Sequence, residues 1–104
     1  MGPTISAVVQ WIDPAVGGRH SPAFEGYRPT IRWQRHLKEF LVGAFDVQIV
    51  HLGVPTDGRP GGITFRYSVG TDPNPEWTMA GELFELLEGD RVVGVGMVVA
   101  VAAE

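Results

Sequence analysis

The stretch Ile63-Thr64-Phe65-Arg66-Tyr67-Ser68-Val69 decides the fold class, because apolar and polar residues alternate along its whole length. In an extended strand successive side chains point to opposite faces, so a period of two indicates a β-strand with one apolar and one polar face. The same period dominates the rest of the chain. The sequence therefore predicts β-structure before any other feature is considered.

Outward from this strand, the alternation recurs on both sides between clusters of turn-forming residues. Together with Ile63–Val69 we predict six strands, the other five being Ile5–Trp11, Thr30–Arg35, Phe45–Ile49, Leu83–Glu88 and Val93–Val101. The Leu83–Glu88 pattern is ambiguous, with Phe84 and Leu86 facing one way and Glu85 and Leu87 the other. Short strands at this spacing are typical of a closed or nearly closed all-β barrel or sandwich.

Two local features refine the last strands. Glu88-Gly89-Asp90 predicts a tight hairpin in which Gly89 takes a positive φ. Gly94 and Gly96, two apart in one strand, leave one of its faces almost bare. Such glycines indicate strong coiling or the close approach of another surface.

A single helical turn competes with β-structure between the second and third strands. Leu37 and Leu41 are four residues apart within Arg35–Leu41, and Gly43 follows as a stop signal. No internal repeat or low-complexity tract is present. The whole chain, residues 1–104, is predicted to form one domain.

Composition excludes several classes of protein. The chain has no cysteine, which excludes disulfides, a zinc–thiolate site and a cysteine nucleophile, and which fits a cytoplasmic location. The longest apolar run, Val92–Ala103, is too short for a membrane-spanning helix, and no targeting segment precedes the first strand. The formal net charge of −4 argues against DNA or RNA as the main partner.

Charge is unevenly distributed along the sequence. After Glu76 the chain is mainly acidic, with Arg91 its one base. This distribution could give one positive and one negative face, but incidental clustering on a solvated surface is the favoured interpretation. Five of the eight cations lie in one stretch, and these are Arg19, Arg28, Arg32, Arg35 and Lys38.

Two segments resemble a known family. Gly17–Pro29 reads GGRHSPAFEGYRP, and Phe84–Val99 reads FELLEGDRVVGVGMVV. Both are similar to the C-terminal β-barrel, domain 3, of bacterial translation elongation factor Tu. That family has GGRHTPFF-x-GYRP at the first place and FAIREGGRTVGAGVV at the second. The resemblance extends over nearly the whole chain and weakens between Trp33 and Met79.

The resemblance has implications for the fold and for GTP hydrolysis. It implies a six-stranded antiparallel β-barrel, in agreement with the independent strand count. Elongation factor Tu hydrolyses GTP with a separate domain whose Gly-rich phosphate loop ends in Lys-Ser/Thr, and no such pattern occurs here. We therefore expect a non-enzymatic protein that needs no cofactor.

The resemblance also suggests residues that could face tRNA, because domain 3 contacts the T-stem backbone. Glu88 and Gly89 match the family at the last hairpin. Thr30 replaces a glutamine, and Asn74 replaces a lysine and so loses a charge that pairs with phosphate. Asp90 replaces a glycine and adds a negative charge. Losing phosphate contacts weakens nucleic-acid binding, so retained tRNA binding is the alternative and not the main expectation.

Five residues are candidates for partner binding, each with a structural alternative. Arg19 and His20 could form a recognition pair, or Arg19 could be held by a carboxylate or backbone carbonyls. Tyr27 and Arg28 could bind, or form a corner in which the Tyr27 hydroxyl bonds the backbone. Trp77 follows a Pro-rich loop and could be an interface hot spot or a loop anchor.

Catalytic and metal-binding patterns are weak. His20, His36 and His51 lack metal-ligand spacing, and His51 is best interpreted as a core or rim residue. Glu82 and Glu85 are three apart, as are Glu85 and Glu88, but on a strand they do not align for paired-carboxylate chemistry. No metal site is predicted, and no Gly-x-Ser-x-Gly elbow occurs.

These observations favour a stand-alone β-barrel that binds a protein, such as a component that recognises elongation factor Tu. A tRNA-binding module is the alternative. A third possibility is self-association through the edge strands of an incompletely closed barrel.

Overall fold

Six strands form a closed antiparallel barrel in a computed structural model that describes residues 3–42, 45–53, 61–68 and 78–102. The predicted all-β fold, a six-stranded antiparallel β-barrel, is therefore confirmed. Around the barrel the strands follow the order β1-β4-β3-β2-β5-β6. Their bounds are β1 Thr4–Trp11, β2 Thr30–Trp33, β3 Phe45–Leu52, β4 Gly61–Tyr67, β5 Leu83–Glu88 and β6 Arg91–Ala102.

The barrel closes through strands that are distant in sequence. β1 pairs with β4 on one side and with β6 on the other, from Thr4 opposite Ala102 to Trp11 opposite Gly94. The short β2–β3 pairing is extended by hydrogen bonds from Val47 N to Pro29 O (3.0 Å) and from Ile49 N to Tyr27 O (2.9 Å). Because closure removes edge strands, self-association through an open edge loses its basis.

The core is built from the apolar faces of the alternating strands. Its centre is aromatic: Phe84 packs edge-on against Trp33 and Phe65, with ring centroids 5.4 and 5.5 Å apart. The Trp33 Nε1–H donates to the Tyr67 hydroxyl at 2.7 Å, which satisfies a buried polar group. Branched side chains from the surrounding strands fill the remainder, among them Ile5, Val9, Ile31, Val47, Ile49, Ile63 and Val98.

The orientation of β6 determines the character of the outer surface. Its glycines point inward: a Cβ on Gly96 would lie 2.6 Å from Phe84 Cζ, and one on Gly94 would lie 3.0 Å from Trp11 Cε3. The predicted close approach is confirmed, since aromatic rings occupy the space beside both glycines. As a consequence Val95 and Met97 point outward and are exposed.

Pairing with β2 resolves the ambiguous pattern in β5. Leu87 lies opposite Thr30 and so shares the face of Glu85, as expected, whereas Leu86 lies opposite the buried Ile31. Leu87 is nevertheless buried, although it does not belong to the core cluster, and the register with β6 shifts between Leu86 and Leu87. The hairpin after β5 is as predicted, with Gly89 at φ 63° between paired residues Glu88 and Arg91.

Short helical segments occupy two connections. A 3₁₀ turn at Pro14–Val16 is capped by the Asp13 carboxylate, which accepts from Ala15 N at 2.8 Å. A second 3₁₀ turn, Gln34–His36, leads into the helix α1, Leu37–Val42. The predicted helical turn is thus confirmed, whereas Gly43 lies outside the described residues. Within the described ranges, no helix has the length and apolar character needed to cross a membrane.

Candidate binding surfaces

Arg19, Tyr27, Glu88 and Arg91 form a polar cluster that we call the Tyr27 corner. The Tyr27 hydroxyl donates to Glu88 Oε2 at 2.5 Å, and Arg19 Nε lies 3.0 Å from the same oxygen. Arg91 Nη2 donates to Glu88 Oε1 at 3.3 Å. The expectation that the Tyr27 hydroxyl bonds the backbone is wrong, because the last hairpin places a carboxylate within its reach.

Arg19 is enclosed by this corner. Its guanidinium carbon lies 4.4 Å from the centroid of the Tyr27 ring and 5.5 Å from that of Phe24, which is cation–π geometry. The side chain is 19% exposed. Stacking and ion pairing together hold Arg19 against the barrel and thereby anchor the first loop there.

Electrostatics fix the protonation states in the Tyr27 corner. The hydrogen bond from Tyr27 is the largest effect and lowers the pKa of Glu88; burial opposes it, and Arg19 and Arg91 lower the pKa further. Burial, followed by the bond to Glu88, raises the pKa of Tyr27. Glu88 is therefore an ionised acceptor and Tyr27 a protonated donor at neutral pH.

The other predicted partner-binding residues that the structure describes lie on the surface. His20 and Arg28 are both exposed, and Trp77 lies outside the described residues. Arg19 and His20 line a cavity of about 490 Å³ together with Trp11 and Leu52. Among the candidates that the structure describes, it therefore brings Arg19 against Tyr27.

The residues that the resemblance assigns to tRNA already have partners or lie beside carboxylates. The Thr30 hydroxyl donates to Asp46 Oδ1 at 2.9 Å, and Glu88 belongs to the Tyr27 corner. Gly89 forms the hairpin turn next to the exposed Asp90. Asn74 lies outside the described residues. Carboxylates at Asp46 and Asp90 would repel phosphate.

In the described residues, arginines of the basic stretch pair with glutamates of the acidic one, which argues against one positive and one negative face. β2 runs antiparallel to β5, so Arg32 lies opposite Glu85, and Arg32 Nε donates to Glu85 Oε1 at 2.7 Å. Three residues further along the chain from Arg32, Arg35 Nη1 donates to Glu82 Oε2 at 2.9 Å. Three cations of the basic stretch are neutralised by three glutamates of the acidic one, because Arg19 likewise pairs with Glu88.

The histidine and carboxylate patterns do not form a reactive centre. His51 lies at the rim of the barrel, where its side chain is exposed. Its Nδ1 is 3.3 Å from Glu25 Oε2. Each glutamate of the Glu82, Glu85 and Glu88 series pairs with a different arginine instead of with another carboxylate. Across the described residues, no three His, Asp or Glu side chains are grouped so that they could hold a metal ion.

A second, larger concavity lies on the outside of the barrel, and we call it the outer groove. Its volume is about 760 Å³, and its floor is formed by outward-facing residues of β1, β6 and β5. Val8 lies opposite Met97, and Met97 lies opposite Leu83, so the three form one apolar row across adjacent strands. Leu37 and Leu41 of α1 contribute to its lining.

A polar row runs beside the apolar one. Gln10 lies opposite Val95, Val95 opposite Glu85, and Glu85 opposite Arg32. The apolar residues around the groove are substantially exposed, with Leu41 at 83% and Leu83 at 45%. Contiguous exposed apolar surface rimmed by polar groups is characteristic of an interaction site.

This groove was not predicted from the sequence, although two of its features are visible there. Leu37 and Leu41 stand four apart, the spacing that places them on one side of a helix. The apolar residues of β6 alternate with glycines, and only the packing of Phe84 and Trp11 against those glycines shows that Val95 and Met97 face outward.

No protein-family model matches the sequence, and no curated protein is significantly similar to it.

Proposed function

We propose that this barrel is a non-enzymatic binding module whose partner is another protein. The outer groove carries the proposal: it combines about 760 Å³ of open volume with an apolar row on a rigid sheet. Burial of such apolar surface drives protein association. The described residues offer no comparable arrangement of reactive groups.

We further propose that this barrel is a counterpart of the C-terminal barrel of elongation factor Tu and acts with a translation-related partner in the cytoplasm. The six-stranded antiparallel barrel is compatible with this. The two resembling segments, Gly17–Pro29 and Phe84–Val99, also contact each other through Tyr27 and Glu88.

Binding of tRNA is the less favoured alternative. The Thr30 hydroxyl is engaged by Asp46, and Arg19 and Arg91 are engaged by Glu88. Binding to a phosphate backbone would have to compete with these carboxylates, which leaves few cations for counterion release. Titration of the barrel with labelled tRNA at low salt tests this alternative directly. If tRNA is the partner, the barrel should bind it at low salt, and the affinity should fall steeply as salt is added.

A capture experiment with matched variants tests protein binding. The wild-type barrel, a groove variant (Leu83→Gln with Met97→Gln) and a control (Val16→Ser) are immobilised and exposed to extract from the cell of origin. Val16 is 75% exposed and does not line the groove. A protein retained by the wild type and the control but not by the groove variant is then purified and titrated against all three.

Groove-dependent affinity in the micromolar range or tighter supports the proposal. Elongation factor Tu lacking its own third domain, and its nucleotide-exchange partner, are titrated in parallel as the translation-related candidates. Equal retention by the groove variant, or the absence of any retained protein at micromolar barrel concentration, contradicts groove-mediated protein binding.

A further inference from the structure

We infer that the cavity of about 490 Å³ beside Arg19, which we call the loop cavity, binds a small organic acid with an apolar body and one anionic head group. The inference goes beyond the proposed function, because it concerns a small molecule at a site that shares no described lining residue with the outer groove. Three observations carry it: the lining of the cavity, an unpartnered donor on Arg19 and the balance of charge around that side chain.

The described lining of the loop cavity is apolar except for one short stretch. Its polar members are Arg19, His20 and Ser21, which are consecutive in the first loop. The remaining members come from that loop and from the barrel strands, and they are Trp11, Ile12, Pro14, Pro22, Ala23, Leu52, Gly53 and Val93. Small-molecule sites of this size are typically apolar, with a few polar groups that fix the orientation of the ligand. This lining therefore suits a ligand with an apolar body and one polar end.

Arg19 carries a donor that the described part of the fold leaves without an acceptor. Its guanidinium carbon lies over the Tyr27 ring, and its Nε is 3.0 Å from Glu88 Oε2. Its Nη1 is buried and has no hydrogen-bond partner among the described residues. Because Nη1 lies on the other edge of the planar group from the Nε–H, the contact with Glu88 does not satisfy it. Buried donors are nearly always paired, so an acceptor on a ligand would complete the hydrogen bonding of Arg19.

The balance of charge around Arg19 favours an anion as the head group. The Tyr27 corner holds two cations, Arg19 and Arg91, against the single carboxylate of Glu88. Among the described lining residues there is no aspartate or glutamate, and the two ionisable ones are Arg19 and His20. The other carboxylates of the first loop and the last hairpin lie outside this lining, and these are Asp13, Glu25 and Asp90. An anionic head group would therefore meet a net positive charge.

A matched pair of fluorescent compounds provides the probe. Anilinonaphthalene sulfonate has an aromatic body and a sulfonate, and phenylnaphthylamine has the same body without the charge. Affinity and stoichiometry are obtained by titrating each compound against the barrel. The wild type is compared with Arg19→Gln, with Ala23→Phe, which adds a ring to the lining of the loop cavity, and with the groove variant, Leu83→Gln with Met97→Gln. Urea midpoints establish that each variant is folded.

The sulfonate should bind as one molecule per barrel and exceed the neutral compound in affinity by about tenfold or more, because its head group accepts a charge-assisted hydrogen bond. Arg19→Gln should bring the two affinities to within about twofold of each other. A substitution that merely loosened the loop would weaken both compounds equally and keep their ratio. Ala23→Phe should weaken both compounds by about tenfold or more, because its ring occupies the space of the ligand body. The groove variant should bind both as the wild type does.

Four results would overturn the inference. These are no saturable binding of the sulfonate at millimolar concentration, equal affinity of the wild type for both compounds, an unchanged ratio in Arg19→Gln, and an unchanged sulfonate affinity in folded Ala23→Phe. If Ala23→Phe lowers the urea midpoint, Ser21→Phe, at an exposed position of the same lining, takes its place. Binding that the groove variant abolishes would also overturn the inference, because the compound would then lie in the outer groove. Failure of the small molecules leaves the proposed protein binding intact, since that is decided by the capture experiment.

Discussion

Tyr27 and Glu88, 61 residues apart in the chain, are joined by a hydrogen bond from the phenol to the carboxylate. The bond ties the long first loop to the last hairpin. Arg19 stacks on the Tyr27 ring and pairs with the same carboxylate oxygen. One carboxylate thereby fixes the position of two otherwise separate connections on the barrel surface.

A double-mutant cycle measures this relationship. Tyr27→Phe and Glu88→Gln should each lower the free energy of unfolding, and the coupling between them should be about 1–2 kcal/mol because the acceptor is charged and half-buried. Urea denaturation provides the values. The matched control is Thr30→Val with Asp46→Asn, which removes an exposed hydroxyl–carboxylate bond and should show coupling below about 0.5 kcal/mol. Equal coupling in both pairs would contradict a special role for the Tyr27 corner.

Stability should depend on pH through Glu88. Its pKa is lowered in the folded state, first by the Tyr27 hydrogen bond, so the folded protein favours the carboxylate more than the unfolded chain does. The stabilisation is complete above the ordinary pKa of the group and is lost as pH falls through the folded-state pKa. Urea midpoints measured from neutral pH to below pH 4 should decline more steeply for the wild type than for Glu88→Gln. Parallel declines would show that Glu88 contributes nothing to the acid sensitivity.

Gly96→Ala should destabilise the barrel. The added Cβ would lie 2.6 Å from Phe84 Cζ and 2.8 Å from Val8 O, and the latter is backbone that cannot rotate away. A cost of about 1–3 kcal/mol is expected from such overpacking. Gly62→Ala is the control, since nothing lies within 4 Å of its Cβ position, and it should change stability by no more than about 0.5 kcal/mol. A neutral Gly96→Ala would mean that the ring of Phe84 does not occupy this space.

Tyr67→Phe should cost about 1–3 kcal/mol, because it leaves the buried Trp33 indole N–H without its acceptor. Urea denaturation followed by tryptophan fluorescence measures the change. Burial also raises the pKa of Tyr67, so in the wild type its phenol should ionise only at a pH above that of an exposed tyrosine, as followed by phenolate absorbance. An unchanged free energy of unfolding in Tyr67→Phe would show that the hydrogen bond from the Trp33 indole to the Tyr67 hydroxyl does not stabilise the fold.

The strands could be predicted from the sequence because their signal is local. The alternation around Phe65 and Tyr67 needs no knowledge of the neighbouring strands, and the Gly89 turn likewise depends only on adjacent residues. The bulge at Leu86 and Leu87 was not predicted, because a single inserted residue is determined by pairing with β6 and not by the pattern of β5 itself.

The binding surface was not predictable for a related reason. Which face of β6 points inward depends on Phe84 and Trp11, which are distant in sequence and fill the space beside Gly96 and Gly94. Valines would ordinarily be assigned to the core, yet Val95 is exposed. The pairing of Arg32 with Glu85 depends in the same way on the register between β2 and β5.

The pairing of β1 with β6 has a consequence for how the protein is made. During synthesis β1 emerges from the ribosome long before its neighbour β6, so the sheet stays open until the last strand has been released. Contacts of such long sequence separation slow folding, and an open intermediate would expose strand edges that the finished barrel lacks. Chaperone dependence and aggregation should therefore be properties of the nascent chain and not of the mature fold.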